Sequence, residues 1–72
     1  MIIQNKQFLD DEITLQDENT GFINLDEIKY IGDIKNNYIN GYGKLWKDNM
    51  SYHGNFKDNN LEGEGILKVE EI

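Results

Sequence analysis

Apolar and polar residues alternate with a period of two along the second half of the chain. In the stretch YIGDIK, Tyr30 and Ile34 lie four positions apart, so both fall on the same side of a two-residue alternation. The stretch GYGKLWK shows the same alternation around Leu45. Side chains of a β-strand point to opposite faces in turn, so this period indicates strands. No stretch carries a convincing 3.6-residue apolar period, and the many Asn and Gly residues disfavour helices. A short helical turn near LQDEN stays open.

The alternating pattern repeats at a fixed offset of 22 residues. This self-similarity predicts an array of equivalent structural units. Segments rich in Asn and Asp separate the strands within each unit, and both residue types tolerate the left-handed conformations of hairpin turns. Each unit is therefore predicted to be a β-hairpin. The matched pairs are Tyr30 and Tyr52, Gly32 and Gly54, Ile34 and Phe56, Gly41 and Gly63, Gly43 and Gly65, and Leu45 and Leu67.

A third, degraded unit precedes the two good ones. At the same offset Phe8 takes the place of Tyr30, and Gly21 takes that of Gly43. Asp10, Glu12 and Asn19 replace Gly32, Ile34 and Gly41. Terminal repeats are usually atypical because one side faces water, which suggests a cap or a distorted copy. We expect one domain over 1–72, with a degraded repeat at 8–29 and repeats at 30–51 and 52–72.

Positions with large side chains and positions with glycine alternate on one predicted face of the sheet. A single sheet has no second layer, so its aromatic rings can leave water only by lying over neighbouring backbone that lacks a Cβ. Such a ring offsets the cost of glycine in a strand, which is roughly 0.5 to 1 kcal/mol. The residues predicted to be structural in this way are Tyr30, Gly32, Ile34, Gly41, Gly43, Tyr52, Gly54, Phe56, Gly63 and Gly65. Leu45, Leu67 and Val69 fall on the same predicted face.

The stretches YIGDIK…GYGKL and YHGNFK…GEGIL resemble MORN repeats, whose pattern is Tyr-x-Gly-x-aromatic, a turn, then Gly-x-Gly and a hydrophobic residue. The resemblance covers 30–67 well and 8–29 weakly. The family usually spaces its units by 23 residues and has glycine in the turn, whereas this chain uses 22 and has Asn37 and Asn59 or Asn60 there.

The resemblance implies an all-β fold, a single-layer twisted antiparallel sheet of stacked β-hairpins. It also implies a role as a scaffold, dimerisation module or membrane-associated adaptor, and not as an enzyme. Lipid binding would need basic residues where this chain has Asp33, Asp58, Glu62 and Glu64. We therefore expect no membrane partner.

Composition narrows the function further. The 72 residues carry a net charge of −7, which repels phosphate backbones and disfavours direct nucleic-acid binding. Cysteine is absent, which excludes disulfides and thiolate metal sites and fits a reducing, cytoplasmic compartment. No segment reads as a signal peptide or membrane span, so we expect a soluble, unprocessed protein.

No catalytic or metal motif emerges from the residues. His53 is the single histidine, and Ser51 beside it lacks an orienting acid, so a nucleophilic triad is disfavoured. The stretch from Asp58 to Gly63 echoes a calcium loop, but the acid required at its twelfth position is Val69. We expect no cofactor, no metal and no enzymatic activity.

The opposite face of the sheet carries the candidate binding residues. Tyr42 and Trp46 alternate there, with Tyr38 in the preceding turn and with Ile31 and His53 starting the neighbouring strands. Exposed aromatic patches mark interfaces. The alternative is that Trp46 folds back over the hairpin or the first unit. The predicted partner-binding residues are Tyr38, Tyr42, Trp46, Asp33, Asp58, Glu62 and Glu64.

Two functional hypotheses follow. In the first, the chain is a small acidic stoichiometric binder or inhibitor that occludes a basic surface of a partner protein, such as a nucleic-acid-binding surface, as phage-encoded inhibitors and antitoxin or immunity proteins do. In the second, it is a structural scaffold or homodimerising adaptor whose acidity serves solubility. A sheet this small has two open edges and little core, so both hypotheses rely on association.

Overall fold

A computed structural model describes residues 2–71, and these residues form one antiparallel sheet of six strands that follow one another in chain order. A single turn of 3-10 helix at Asp10–Glu12 precedes the sheet. The expected all-β architecture of stacked hairpins is confirmed, while LQDEN forms no helical turn. The strands are β1 (Ile13–Leu15), β2 (Thr20–Asn24), β3 (Ile28–Lys35), β4 (Tyr38–Lys47), β5 (Met50–Lys57) and β6 (Asn60–Val69).

Two-residue turns close the two well-formed hairpins. Asn36 and Asn37 join β3 to β4 with φ angles of 52° and 62°, and Asp58 and Asn59 join β5 to β6 with φ angles of 47° and 66°. Two successive residues with positive φ are typical of the type I′ turn, whose twist matches that of the flanking strands. Asn and Asp adopt this conformation at lower cost than other residues with a Cβ.

Strand pairing reproduces the 22-residue offset. Tyr30 pairs with Leu45 in the first hairpin, and Tyr52 pairs with Leu67 in the second. Between hairpins, Leu45 pairs with Tyr52 across β4 and β5. Ile23 pairs with Tyr30 across β2 and β3 in the same relation.

The first unit departs from this register on its other strand. Ile13 of β1 pairs with Ile23, at the place that the offset assigns to Phe8. The intervening 10–12 form the 3-10 turn, since acids stand there where the later units have glycine and an apolar residue. Phe8 is nevertheless buried, outside any strand.

Each repeat tyrosine lies flat against a glycine of the next strand. We call the side of the sheet that carries these rings the inner face. A Cβ built on Gly43 would lie 2.6 Å from Cε1 of Tyr30, and one on Gly65 would lie 2.5 Å from Cε1 of Tyr52. Both rings meet Phe56 edge to face, at centroid distances of 5.4 and 5.1 Å. The predicted seating of aromatic rings on glycine therefore holds at Gly43 and Gly65.

Gly41 and Gly63 have a different role from the predicted one, and this corrects the sequence interpretation. Their φ angles are 114° and 65°, in the region that favours glycine. A Cβ on Gly41 would meet the Asp33 carboxylate 2.6 Å away, and one on Gly63 would meet no atom within 4 Å. Neither glycine supports an aromatic ring, and both serve the backbone conformation of a bulge.

The bulge lies at the same place in both hairpins. Between the pairs of Gly32 with Gly43 and Ile34 with Ile39, the single Asp33 opposes 40–42. Asn55 opposes 62–64 in the second hairpin. Bulges of this kind bend the strand and increase its twist. They also shift the pairing register on either side.

The N-terminal segment, 2–9, covers part of the inner face, which the sequence analysis did not foresee. Ile3 and Phe8 are buried in the same core as Tyr30, Ile39 and Phe56. The sheet therefore has a partial second layer. The one-layer prediction places the aromatic rings over backbone alone. This layer adds apolar burial to a chain with little core of its own.

Two turn asparagines bind this segment. The Asn37 Nδ2 donates to Phe8 O at 2.9 Å. The Asn59 Nδ2 donates to Lys6 O at 2.8 Å, while its Oδ1 accepts from the Ile39 N–H at 2.8 Å. Asn59 is fully buried. Glycine would satisfy the turn geometry at both positions, but only Asn also supplies the amide group that holds the N-terminal segment.

At the edge strand β6, the apolar side chains of the inner face are exposed to solvent. Leu45, which lies between Tyr30 and Tyr52, is 0% exposed, whereas its repeat counterpart Leu67 is 53% exposed and Val69 is 59% exposed. The face assignment of Leu67 and Val69 agrees with their pairing to Tyr52 and Met50. Their exposure follows from position, because β6 is an edge strand and no further tyrosine covers it.

Replacing Gly43 tests the ring-on-glycine packing. We expect Gly43→Ala to lower the free energy of unfolding by about 1 to 3 kcal/mol, since the new methyl group overlaps the buried Tyr30 ring. Gly63→Asn is the control, because space is open there and Asn tolerates a positive φ, so its effect stays within about 0.5 kcal/mol. Urea denaturation measures both, and equal losses would contradict the packing explanation.

Replacing Asn59 tests the attachment of the N-terminal segment. Asn59→Gly keeps the turn but removes its side-chain hydrogen bonds, so we expect a loss of about 2 to 4 kcal/mol and faster hydrogen exchange at the Ile3 amide. Asn36→Gly is the matched control, because Asn36 meets this segment through its backbone carbonyl, which accepts from Gln7 Nε2. A destabilisation of similar size in the control would refute the proposed attachment.

Candidate functional site

The face opposite the repeat tyrosines, which we call the outer face, carries most of the exposed large apolar side chains of the sheet. The outward positions alternate with the buried ones along β2 to β5. On the inner face of β2 to β5, by contrast, the apolar side chains are buried, except for the half-buried Met50. The exposed outer-face residues are Phe22 at 43%, Ile31 at 49%, Tyr42 at 54%, Trp46 at 40% and Ile66 at 61%.

Cross-strand pairing aligns these residues in rows. The first row runs from Phe22 through Ile31, Lys44 and His53 to Ile66, one residue from each of five strands. The next row runs through Lys29, Trp46, Ser51 and Lys68. Directly opposed residues of one face are close enough to contact one another. We call Ile31, Tyr42, Lys44, Trp46, His53 and Ile66 the outer-face patch.

Aromatic and cationic groups of the patch contact each other. Lys44 Nζ lies 5.1 Å from the centroid of the Trp46 ring, within the range of a cation–π interaction. The rings of Tyr42 and His53 lie 5.0 Å apart at an angle of 56°. These contacts hold large side chains on the surface of the sheet and lower the entropy that a partner would have to remove on binding.

Lysines are concentrated on this face although the chain is acidic. Five of the seven lysines occupy outward strand positions. The central pair, Lys44 and Lys68, borders a depression of about 100 Å³ together with Ser51, His53 and Ile66. The five outward lysines are Lys29, Lys35, Lys44, Lys57 and Lys68.

Most acidic side chains lie in the turns and at the N-terminal side of the sheet. Asp26, Glu27 and Asp48 line a depression beside Trp46 at one end of the strands. Asp17 and Asp58 lie in turns at the other end, and 10–12 precede β1. The net charge of −7 therefore describes the rim of the molecule and not its outer face.

The predicted partner-binding acids do not surround the aromatic residues. Asp33 is half-buried and has a structural contact, since its Oδ2 accepts from the Tyr42 N–H at 2.9 Å. Asp58 lies in the exposed β5–β6 turn. Glu62 and Glu64 lie in the second bulge, where Glu64 borders a depression with Tyr42 and His53. Of the four acids, Asp33 contacts the patch through the Tyr42 backbone and Glu64 borders it.

The predicted aromatic residues separate into two locations. Tyr42 and Trp46 lie on the outer face, where they are 54% and 40% exposed. Tyr38 lies apart from the patch, where it borders a depression formed by the N-terminal segment and Asn37. Its neighbours are therefore Phe8 and Asp10, not Trp46.

Sequence reasoning missed the outward lysines, such as Lys44 and Lys68, and the apolar residues Phe22 and Ile66. Alternation alone could have placed Lys44 and Ile66 outward. A hairpin without a bulge would pair Ile31 with Tyr42, whereas the observed pairing is with Lys44. The unrecognised bulge thus concealed which side chains share a row.

A partly buried hydrogen bond positions the bulge beneath the patch. The Tyr30 hydroxyl donates to the carbonyl oxygen of Asp33 at 2.7 Å, and the Asp33 carboxylate holds the Tyr42 N–H. Burial, with a smaller effect of the Asp33 charge, raises the pKa of Tyr30 well above its ordinary value. In the β1–β2 turn, hydrogen bonds from the Asn19 backbone first and then from Thr20 lower the pKa of Asp17.

Neither a metal-binding cluster nor a membrane-spanning helix is found among the described residues. Within residues 2–71, no group of three or more histidine or acidic side chains is arranged to hold a metal ion. No helix in the same range is long and apolar enough to cross a membrane. What the outer face presents is a surface for binding, built from aromatic rings, aliphatic side chains and ammonium groups.

Comparison with known proteins identifies one family. The family model described as MORN repeat matches residues 30–51 and 52–68, together more than half of the chain. The matched ranges begin at Tyr30 and Tyr52, the two tyrosines that lie on glycine. No curated protein sequence and no solved structure matches the chain.

The shifted pKa of Tyr30 predicts a loss of stability at alkaline pH. In the unfolded chain Tyr30 ionises near its ordinary pKa of 10.0, while in the folded chain it stays protonated. Its contribution is complete below pH 10 and falls above it by about 1.4 kcal/mol per pH unit. Urea denaturation of the wild type and of Tyr30→Phe between neutral and alkaline pH measures this, and the difference between them should shrink above pH 10. A constant difference would contradict the assignment.

Proposed function

Because the chain belongs to the MORN repeat family, whose repeats form protein- or membrane-binding modules, we propose that it is a non-catalytic protein-binding module that contacts its partner through the outer-face patch. The inner face of β2 to β5 is occupied by the chain's own packing. The outer face of the same sheet is therefore the broad surface left for a partner.

The observation that carries this proposal is the exposure of a preordered aromatic and aliphatic row. Tyr42, Trp46 and Ile66 are each at least 40% exposed, and the rings of Tyr42 and Trp46 contact His53 and Lys44. Aromatic residues with an apolar body and a polar edge dominate the binding energy of protein interfaces. Aromatic residues are enriched at the centre of such interfaces, and the rim of the interface is polar.

A second candidate function is a scaffold built by end-to-end association. The observation that favours it is the exposure of Leu67 at 53%, where its counterpart Leu45 is fully buried between two tyrosines. β6 is a ten-residue edge strand that pairs with β5 on one side, and at its start Asn60 forms an isolated bridge with Ile2. An added strand on this edge, from a second copy or from a partner, would cover Leu67 as β5 covers Leu45.

The hypothesis of an acidic inhibitor remains a proposal. Its binding surface would be formed by acidic side chains outside the outer-face patch. Its support is the net charge of −7, which would accelerate encounter with a basic groove. The acids available for such a groove are those of the turns, which include Asp58 at one end of the strands and Asp26, Glu27 and Asp48 beside Trp46 at the other. A cytoplasmic location is likewise proposed, on the absence of cysteine.

Paired capture experiments test the outer-face proposal. The chain is immobilised and exposed to an extract of its native host, and the wild type is compared with Trp46→Ser and Ile66→Ser. We expect both variants to weaken capture of the partner by about tenfold or more, as removal of central interface residues does. Leu9→Ser is the control, because Leu9 is 65% exposed but lies in the N-terminal segment.

Leu67→Ser separates the two candidate functions. Retention of the partner by Trp46→Ser and Ile66→Ser, together with its loss in Leu67→Ser, would refute outer-face binding and favour the edge. A solution mass that corresponds to a dimer in the wild type and to a monomer in Leu67→Ser would favour the scaffold in the same way.

A further inference from the structure

We propose that the depression at the centre of the outer face binds a carboxylate of the partner protein, carried by a short segment in which apolar side chains flank the acid. We call the depression bordered by Lys44, Ser51, His53, Ile66 and Lys68 the cationic cleft. The inference rests on the proposed outer-face function and names the chemistry of its partner.

Four of the five cleft residues can donate hydrogen bonds to an anion. Lys44 and Lys68 supply ammonium groups, Ser51 supplies a hydroxyl and His53 supplies a ring N–H. They come from three adjacent strands, since Lys44 pairs with His53 and Ser51 pairs with Lys68. Hydrogen bonds between ammonium groups and a carboxylate are stronger than neutral ones. The volume of about 100 Å³ suits a single carboxylate group and not a bulky ligand.

Apolar residues border the cleft on both sides of the row. Ile66 forms one wall, and Ile31 follows Lys44 on the other side, with Phe22 beyond it. Ile31 and Ile66 lie three strand spacings apart, roughly 14 Å, which an extended segment of about five residues spans. An acid at the centre of such a segment reaches the lysines while its terminal apolar side chains reach the two isoleucines.

The acidic rim limits how far an anionic ligand can extend. Asp48 is two residues beyond Trp46, and Glu64 is two residues before Ile66, each about 7 Å along its strand. Asp26 and Glu27 add to the negative charge beside Trp46. A nucleic acid or an anionic bilayer would extend over these carboxylates and meet like charge. A partner with one or two acids fits between them.

Trp46 provides a direct measurement, since it is the single tryptophan and lies beside the cleft. The 72-residue chain is titrated with the capped peptide Ile-Ser-Glu-Ser-Ile and with versions that carry Gln or Lys in place of Glu. We expect saturable quenching or a spectral shift with the Glu peptide and about tenfold weaker binding of the Gln peptide.

Charge-matched variants locate the effect. Lys44→Gln combined with Lys68→Gln should weaken binding of the Glu peptide by about tenfold. Lys35→Gln combined with Lys57→Gln changes the net charge equally, but on outward positions beside the turns, and should change affinity by less than about twofold. An equal effect in the two pairs would reduce the result to general electrostatics and overturn the inference.

Further outcomes that overturn it are binding weaker than about 10 mM for the Glu peptide, equal affinity for the Gln peptide, or preference for the Lys peptide, which would indicate a basic partner. Tighter binding of an oligothymidylate or of phosphatidylserine vesicles than of the Glu peptide would assign the face to another class of ligand.

The two proposals can fail separately. If capture of the native partner depends on Trp46 and Ile66 but not on Lys44 and Lys68, outer-face binding stands and the carboxylate cleft does not. If capture depends on neither set, the proposed function itself fails.

Discussion

The packing of a tyrosine ring on a glycine of the neighbouring strand is the interaction on which the rest of the structure depends. Tyr30 on Gly43 and Tyr52 on Gly65 remove two large rings from water without a complete second layer, because the glycines leave room that any Cβ would fill. The hydroxyl of each ring then donates to a carbonyl in its own strand, at Asp33 and Asn55. One contact thus buries the ring, fixes the strand register and anchors the bulge.

In a chain of this size, the packing of rings on glycine cannot by itself bury the whole inner face. The N-terminal segment covers part of the remaining apolar surface. Ile3 and Phe8 complete the core, and two turn asparagines hold the segment by its backbone. Asn37 and Asn59 therefore combine a turn conformation with an attachment that glycine cannot provide. The opposite end of the core has no such cover, which is why Leu67 is exposed while Leu45 is not.

Segregation of charge decides what the outer face can bind. The acids occupy turns and rim, and the lysines occupy outward strand positions between them, so the local charge at the cationic cleft has the opposite sign to the net charge. Coulomb interactions between exposed groups decay within about 8 Å at physiological salt, so a partner responds to the nearest charges. The net charge alone favours a basic partner, whereas the arrangement of charges around the cleft favours a carboxylate.

The sequence by itself determined the repeat, the strands, the turns and which tyrosines lie on the inner face, because alternation and a 22-residue offset are local properties that survive in any arrangement of the chain. It also located Tyr42 and Trp46 on the opposite face. Only the tertiary structure decided the bulge at Asp33, the course of the N-terminal segment and the neighbours of Trp46. These depend on contacts between distant residues: a bulge changes which residues of two strands oppose each other without changing the period of either strand.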